Sequence, residues 1–238
     1  QFNHGGQIAG ANTIIYLLEK SRVVSQAKSE RNFHIFYQIM SESMSEELKV
    51  RTPPSNLRKK LAFSSSSSPK FTEKLHLTKP SAYHFLNQSG CEKVPGVSDA
   101  KELEHSIKAL DIMQVRFLFL AAAHLYAKIN NNIGHPRGEV LIFQVLSAIL
   151  HLGNIAFADN QREVAQLVDT NSLMIAAELL GVEPEKLRLG ILCPRIKAGN
   201  EWITKALSTH KAMASRDALA KVTITSLSLY LSYTHTHN

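Results

Sequence analysis

Histidine and cysteine are the first residues to consider as carriers of chemistry in this sequence of 238 residues. The chain has eleven histidines and two cysteines, Cys91 and Cys193, which lie far apart. The spacings of these residues match none of the patterns that bind zinc in proteins. We therefore predict no metal site, and two isolated thiols suit a reducing compartment.

Sequence motifs for catalysis are equally sparse. The tripeptide His4–Gly6 resembles half of an oxyanion-hole motif, but no G-x-S-x-G nucleophile elbow accompanies it, so we interpret it as a turn. No H-E-x-x-H, no phosphate loop of the G-x-x-x-x-G-K-[ST] type and no G-x-G-x-x-G after a strand occurs. We assign no catalytic residue, and spacing alone indicates only a mainly helical domain.

Length and composition exclude several classes of protein. Hydrophobic residues make up 44% of the chain, which is enough for a core and excludes an acidic disordered tail, a collagen-like fibre or a disulfide scaffold. The longest apolar run, Phe117–Ala123, is far shorter than the roughly 20 residues of a membrane span. Since the chain has neither an export signal nor an initiator methionine, we expect it to begin inside a longer protein.

The positive net charge favours a polyanion such as nucleic acid only if the charge is clustered on the folded part. Lys and Arg number 27 against 20 Asp and Glu, a net charge of +7. Segments 50–72, 115–137 and 222–238 together hold eight of the cations and no acidic residue, so the remainder has a net charge of −1. Because the excess positive charge lies in these three segments and the rest of the chain is close to neutral, we predict no nucleic-acid partner.

The periodicity of the first half predicts both strand and helix. A strand is predicted over 7–18 and a helix over 29–48 with Ser29 as its N-cap. A further helix with an N-cap signature is predicted over 98–114. Its apolar stripe consists of Leu103, Ile107, Leu110 and Met113.

The second half is predicted to be mainly helical. A central buried helix runs from Glu139 to Leu152 and is stopped by Gly153 and Asn154. Residues 222–238 alternate like a strand. The remaining predictions are a short strand over 155–158, a loop over 194–201 and helices over 171–181, 185–192 and 208–221. The predicted fold class is therefore mainly α with a few short β-strands (α+β).

Four stretches resemble successive signatures of one protein family, the myosin motor head, and occur in that family's order. The resemblance implies the actin-facing upper subdomain of a P-loop-type head, the upper fifty-kilodalton region. The stretches are GQIAGANTIIYLLEKSRVVSQAKSERNFHIFYQ (6–38), YHFLNQSGC (83–91), SAILHLGNIAF (147–157), and RIKAGNE (195–201) followed by RDALAK (216–221).

The resemblance also implies what the chain lacks. In this family the phosphate loop would lie upstream, switch I would end just before Gln1 and switch II would begin after Asn238. ATP and Mg²⁺ are therefore cofactors of the intact motor, an actin-activated ATPase, and this fragment is expected to bind neither nor to be catalytic alone. The implied partners are the actin filament, the rest of the head and light chains, and the implied location is the cytoplasmic cytoskeleton.

Residues Arg195–Leu207 match the family's actin-touching surface loop. Glu201 lies sixteen positions before Asp217, where these motors carry an acidic or phosphorylatable residue; an ordinary solvated glutamate is the alternative. Residues Ala158–Gln166 match a second, weaker actin loop or form a plain solvated turn. The resemblance implies these actin-binding residues: Arg195, Lys197, Asn200, Glu201, Trp202 and Lys205.

Other residues of the matched stretches are expected to hold the fold together. We interpret Glu19–Arg22 with Arg31 and Asn32 as a frame of ion pairs beneath the nucleotide site. Cys91 is expected to be a buried thiol. The expected core residues of the second stretch are Tyr83, Phe85 and Leu86.

The chain departs from the family pattern at 50–72, 115–137 and 222–238. Each segment begins with valine after Lys or Gln, a context that can encode a splice donor, so we predict a partial motor domain over 1–221 and an aberrant tail over 222–238 that replaces a core helix. Translated introns and genuine surface insertions are the two explanations. A basic binding or scaffold module without motor activity is the alternative function.

Overall fold

Helices dominate the computed structural model, which describes residue 5 and residues 18–41, 75–112 and 138–236. Most of the predicted strand over 7–18, all of 115–137 and all of 50–72 lie outside the described residues. The two described strand pairs are short and antiparallel. The predicted class, mainly α with a few β-strands, is confirmed for the described part of the chain.

The described elements before residue 113 are short except for one helix. Helix α3 covers Asp99–Ile112 and confirms the predicted amphipathic helix, with Leu103 and Ile107 fully buried. Met113 lies outside the described residues. The other elements are 3₁₀-helices at Lys20–Val23 and Pro80–Ala82, helix α1 at His34–Gln38 and helix α2 at His84–Asn87.

The part from residue 138 onward alternates long helices with two hairpins. Its elements are α4 (Gly138–Gly153), β1 (Phe157–Asp159), β2 (Ala165–Leu167), α5 (Asn171–Leu180), α6 (Pro184–Leu192), β3 (Arg195–Ala198), β4 (Glu201–Thr204) and α7 (Thr209–Thr236). Strand β1 pairs with β2, and β3 pairs with β4.

Helix α4 is the centre of the core. Phe143, Ile149, Leu150 and Leu152 on it are all fully buried, and it packs against α5 on one side and α7 on another. A helix that is apolar around its circumference is stable only when other elements cover it, as happens here. The predicted buried helix and its end at Gly153 are both confirmed.

The predicted N-cap at Ser29 is wrong. Ser29 has a left-handed backbone (φ 66°), and its amide donates to the carbonyl of Ser89 at 3.1 Å, which holds the residue in a turn. The described helix begins at His34 instead. Residues 42–48 of the predicted helix lie outside the described residues. Tertiary contacts therefore override the local capping signal.

The predicted ion pairs form at both arginines, Arg22 and Arg31. Arg22 pairs through Nε with Glu19 at 2.8 Å and through Nη1 with Glu30 at 2.9 Å. The buried Asn32 donates from Nδ2 to the carbonyls of Val23 and Phe85 at 3.0 and 2.8 Å. These bonds tie the N-terminal segment to α2.

The second matched stretch also forms core, with one correction. Tyr83, Phe85 and Leu86 are buried as predicted. Cys91 is only half-buried, and its thiol lies 3.8 Å from the carbonyl of Lys93. The prediction of a buried thiol is therefore wrong, because the chain at Cys91 turns outward after α2 rather than into the core.

The predicted strand over 222–238 is wrong, because α7 continues to Thr236. The hydroxyls of Thr223 and Thr225 donate to the carbonyls of Leu219 and Lys221, four residues back, so their polar groups are satisfied within the helix. Ile224 is buried against the core. The expectation that this segment removes a core helix is therefore also wrong.

None of the described helices is both long enough and apolar enough to cross a membrane.

Candidate functional site

The candidate site is the β3–β4 hairpin, which the sequence had predicted as a loop over 194–201. Arg195 pairs with Thr204, Ile196 with Ile203, Lys197 with Trp202 and Ala198 with Glu201. Gly199 and Asn200 form the two-residue turn, and Gly199 has the positive φ (62°) that the first position of a type II′ turn requires. Ile196 and Ile203 lie opposite each other on strands joined by a glycine turn, a sequence pattern that favours a hairpin.

The two faces of this hairpin differ in chemistry. Since side chains alternate along a strand, Arg195, Lys197 and Trp202 project from one face. Trp202 is 61% exposed, and the Arg195 guanidinium carbon lies 5.8 Å from the centre of its ring. Diagonal neighbours across a ladder reach one another in this way. The result is an exposed aromatic ring that shares its face of the hairpin with two cations.

The opposite face is apolar apart from one carboxylate. Ile196 is 39% and Ile203 44% exposed, and Glu201 projects on the same side. All the strand residues of β4 are exposed. The hairpin therefore exposes both isoleucines to solvent instead of burying them in the core.

All six residues implied by the resemblance lie on this hairpin or at its base. Arg195, Lys197 and Trp202 share one face, while Asn200 lies at the tip. Glu201 is on the other face and so does not join the three. Lys205 follows β4, and its amide donates to the carbonyl of Pro194 at 3.2 Å, which closes the base of the hairpin.

The second matched loop is the turn of the β1–β2 hairpin. Within it Asn160 accepts through Oδ1 from the amides of Arg162 and Val164 at 2.9 and 3.0 Å. Glu163 adopts a left-handed backbone (φ 56°). The predicted strand over 155–158 is shifted to Phe157–Asp159, because Ile155 turns inward and is fully buried.

A small hydrophobic core beside the β1–β2 hairpin was not predicted. It contains residues of that hairpin, of α6 and α7, and of the segments on either side of the β3–β4 hairpin: buried Ala165, Leu192 and Ala212 with partly buried Phe157, Leu167, Cys193 and Leu207. The backbone of Leu207 joins the elements, because its amide donates to Leu192 O at 2.9 Å and its carbonyl accepts from Ala165 N at 2.8 Å.

Asp159 makes a contact that the sequence did not predict. Its Oδ1 accepts from the amide of Thr209, the first residue of α7, at 2.8 Å. The carbonyl of Ser208 accepts from Ala212 N, so Ser208 is the N-cap position, yet the cap acceptor comes from β1. No local sequence signal could have identified a partner 50 positions away.

A buried histidine lies on α4, away from the hairpins. The Nε2 of His151 donates to the carbonyl of His76 at 3.2 Å, and that carbonyl also accepts from the Tyr83 hydroxyl at 3.1 Å. Burial lowers the pKa of His151 to about 4. These two donors hold His76 in a left-handed backbone (φ 53°).

Groups that could coordinate a metal do not cluster in the described ranges. In the residues that the structure describes, no three His, Cys, Asp or Glu side chains come close enough to hold an ion. The hairpin instead presents cations, an aromatic ring and exposed isoleucines.

Comparison with known proteins gives a consistent answer. The family model of the myosin head (motor domain) matches residues 1–56 and 61–233. The myosin-2 heavy chain, non muscle, of Acanthamoeba castellanii is 48% identical over 231 residues, 97% of this chain and 12% of that protein.

More distant relatives span other organisms. The myosin-I heavy chain of Dictyostelium discoideum is 33% identical over 226 residues, 93% of this chain and 8% of that protein. Unconventional myosin-XV of Homo sapiens is 33% identical over 224 residues, 93% of this chain and 5% of that protein. The chain thus spans about an eighth or less of the length of these relatives. The resemblance seen in the sequence is confirmed: the chain belongs to the myosin head (motor domain) family.

Proposed function

We propose that this chain is the upper subdomain of an ATP-driven, actin-based motor and that its β3–β4 hairpin contributes part of the actin-binding surface. The observation that carries the proposal is the exposed face formed by Arg195, Lys197 and Trp202. Membership of the myosin head family supports the motor, and the geometry of the hairpin supports the surface.

The hairpin has the composition that protein interfaces favour. Trp and Arg are enriched among the residues that dominate binding energy, and Trp202 is the only tryptophan in the chain. Burial of the Trp202 ring is expected to contribute most of the binding free energy, while Arg195 and Lys197 attract an acidic surface toward it. The three cations of residues 195–205 outweigh the single carboxylate of Glu201. The partner surface is therefore expected to be acidic at its rim and apolar at its centre.

Glu201 serves a separate purpose in this proposal. It projects on the isoleucine face, across the hairpin from Trp202, and so can contact a different part of the filament. Because its charge is permanent, no phosphorylation is needed to supply an anion at this position. The β1–β2 turn, which is polar and exposed, is proposed as a second and weaker contact.

Nucleotide chemistry belongs, in this proposal, to the intact motor. ATP and Mg²⁺ would bind elsewhere in the head, and hydrolysis would open and close a cleft of which this subdomain forms one wall. The fragment is proposed to bind neither ligand alone. Cytoplasmic location on the cytoskeleton, with the rest of the head and light chains as further partners, follows from the same assignment.

The test is co-sedimentation of the 238-residue chain with actin filaments. Trp202→Ala is expected to weaken binding by about thirtyfold, the factor typical of a central aromatic anchor. Lys197→Glu is expected to weaken it by about tenfold, because it places a carboxylate against an acidic surface. The matched control is Lys101→Glu on α3, which makes the same change at another exposed lysine.

Three results would distinguish the possibilities. Loss of binding in the two hairpin variants, with Lys101→Glu unaffected, supports the proposal. Equal loss in all three would indicate non-specific charge attraction and contradict a hairpin contact. Failure of the folded wild-type chain to bind filaments would favour the alternative, a binding or scaffold module without motor function.

A further inference from the structure

We infer that Asp159 is a positioning residue that joins the two hairpins into one binding unit by capping helix α7. This inference rests on the proposed function, because it concerns how the β3–β4 hairpin is oriented for its partner. The residue itself lies on the other hairpin, at the end of β1.

The first step of the argument is the bond between β1 and α7. Asp159 Oδ1 accepts from Thr209 N at 2.8 Å, so a carboxylate lies at the positive end of a 28-residue helix. The charge of the carboxylate strengthens both the hydrogen bond and the interaction with the helix dipole. In the part of the chain that the structure describes, the hydroxyl of Ser208 at the N-cap position makes no such bond, and Asp159 supplies the acceptor in its place.

The second step is the short connection from β4 to α7. Strand β4 ends at Thr204 and α7 begins at Thr209, so only residues 205–208 separate the hairpin from the capped helix end. Leu207, in the middle of this connection, bonds on one side to Leu192 and on the other to Ala165. The connection is therefore held at three places: at Lys205 by Pro194, at Leu207 and at Thr209.

The third step is the apolar layer under these bonds. Leu207, like Phe157 and Leu167 of the first hairpin, packs against the buried cluster of the small second core, which includes Ala212 of α7. Displacing α7 relative to β1 would disturb this layer and, with it, the base of the β3–β4 hairpin. An exposed carboxylate on one hairpin thus sets the direction in which the other projects.

The test combines hydrogen exchange and filament binding on the 238-residue chain. Asp159→Ala removes the acceptor, and we expect exchange of the Thr209 amide and of the β3–β4 amides to rise by about tenfold. Asp159→Asn keeps an oxygen acceptor but not the charge, so it is expected to restore most of the wild-type protection from exchange. Glu163→Gln removes one charge from the same loop without touching the cap and serves as the control.

A second variant removes the donor of the same hydrogen bond, in case the alanine variant misfolds. Thr209→Pro removes the donor amide at the first helical position, where proline is well tolerated. It is expected to raise exchange in β3–β4 as Asp159→Ala does. Because exchange is measured without actin, it tests the coupling even if the proposed filament contact is wrong.

The exchange measurements can either support or contradict the coupling. Faster exchange in β3–β4 for Asp159→Ala and Thr209→Pro, with rescue by Asp159→Asn, supports the coupling. Wild-type exchange in the hairpin for either disrupting variant, or no rescue by Asn in a folded chain, overturns it. If the filament contact also holds, Asp159→Ala weakens filament binding while Glu163→Gln changes it less.

Discussion

Arg31 and Asp99 form an ion pair that joins the N-terminal segment to helix α3 across 68 positions of sequence. The Nη2 of Arg31 lies 2.5 Å from Asp99 Oδ2, and the arginine side chain is only 4% exposed. Its guanidinium also lies over the ring of Tyr37, 3.8 Å from the centroid. Asp99 thus serves both as a first-turn acid of α3 and as the counter-ion of a buried cation.

Removing this counter-ion is expected to destabilise the chain strongly. Asp99→Ala leaves the Arg31 cation buried without a partner, and we expect the free energy of unfolding to fall by about 3 kcal/mol. Chemical denaturation measures the change. The control is Lys108→Ala, which breaks the exposed pair with Glu104 on the same helix and should cost less than about 0.5 kcal/mol. Equal effects of the two variants would contradict the role of Arg31.

Close packing between α4 and α2 depends on a glycine. A Cβ placed on Gly153 would lie 2.7 Å from the ring of Phe85, which is buried and cannot move aside. Gly153→Ala is therefore expected to lower the free energy of unfolding by about 2 kcal/mol.

Gly190 in α6 is the matched control for that substitution. A Cβ there would meet nothing within 4 Å, so Gly190→Ala is expected to stabilise the chain by about 0.5–1 kcal/mol through helix propensity. Thermal unfolding of both variants should shift in opposite directions. A stabilising Gly153→Ala would show that Phe85 does not pack as described.

His151 makes the stability depend on pH. Its pKa is lowered by burial to about 4, while an unfolded histidine titrates near 6.5. Below pH 6.5 the histidine is protonated in the unfolded chain but stays neutral in the folded chain. The free energy of unfolding therefore declines as the pH falls to about 4 and is constant below that. The full loss amounts to about 3 kcal/mol.

The contribution of His151 can be isolated by replacing it. His151→Asn removes the titrating ring, so the part of the decline between pH 6.5 and 4 that belongs to His151 should disappear. Denaturation at a series of pH values measures this, and NMR titration of the ring measures the pKa directly. A ring that titrates near 6.5 in the folded chain would refute the burial argument.

Glu201 is expected to act in the intact motor. In a head that carries this chain, Glu201→Ala should lower the actin-activated ATPase rate by roughly two- to fivefold, the range for a single exposed charge contact. Glu201→Asp should retain most of the activation, since it keeps the anion. An unchanged activated rate in the alanine variant would mean that Glu201 is an ordinary solvated residue.

Much of the helical core was predictable because its signals are local. The stripe of Leu103 and Ile107 and the apolar circumference of α4 follow from residues three or four positions apart, and both predictions held. Hydrophobic alternation in 222–238 is also a local signal, but it predicted a strand where the structure has a helix. Ile224 is helical because it completes a face of α7 against the core, which is a tertiary effect.

The candidate site was harder to predict than the core. Resemblance to the family brought the six hairpin residues together. Periodicity alone left 194–201 a loop, because the strand side chains whose burial the structure describes are all exposed and leave no core-facing stripe. The partners of Arg31 and Thr209 could not be foreseen, because Asp99 and Asp159 come close only when distant elements pack.

The central claim, that the β3–β4 hairpin contacts actin, is tested most directly by mapping hydrogen exchange of the 238-residue chain with and without actin filaments. Both hairpins and the exposed face of α3 should be followed in the same experiment. We predict that filaments slow exchange at the amides of residues 195–205 while those of α3 stay unchanged. A chain that binds filaments with unaltered exchange at 195–205 would contradict the claim.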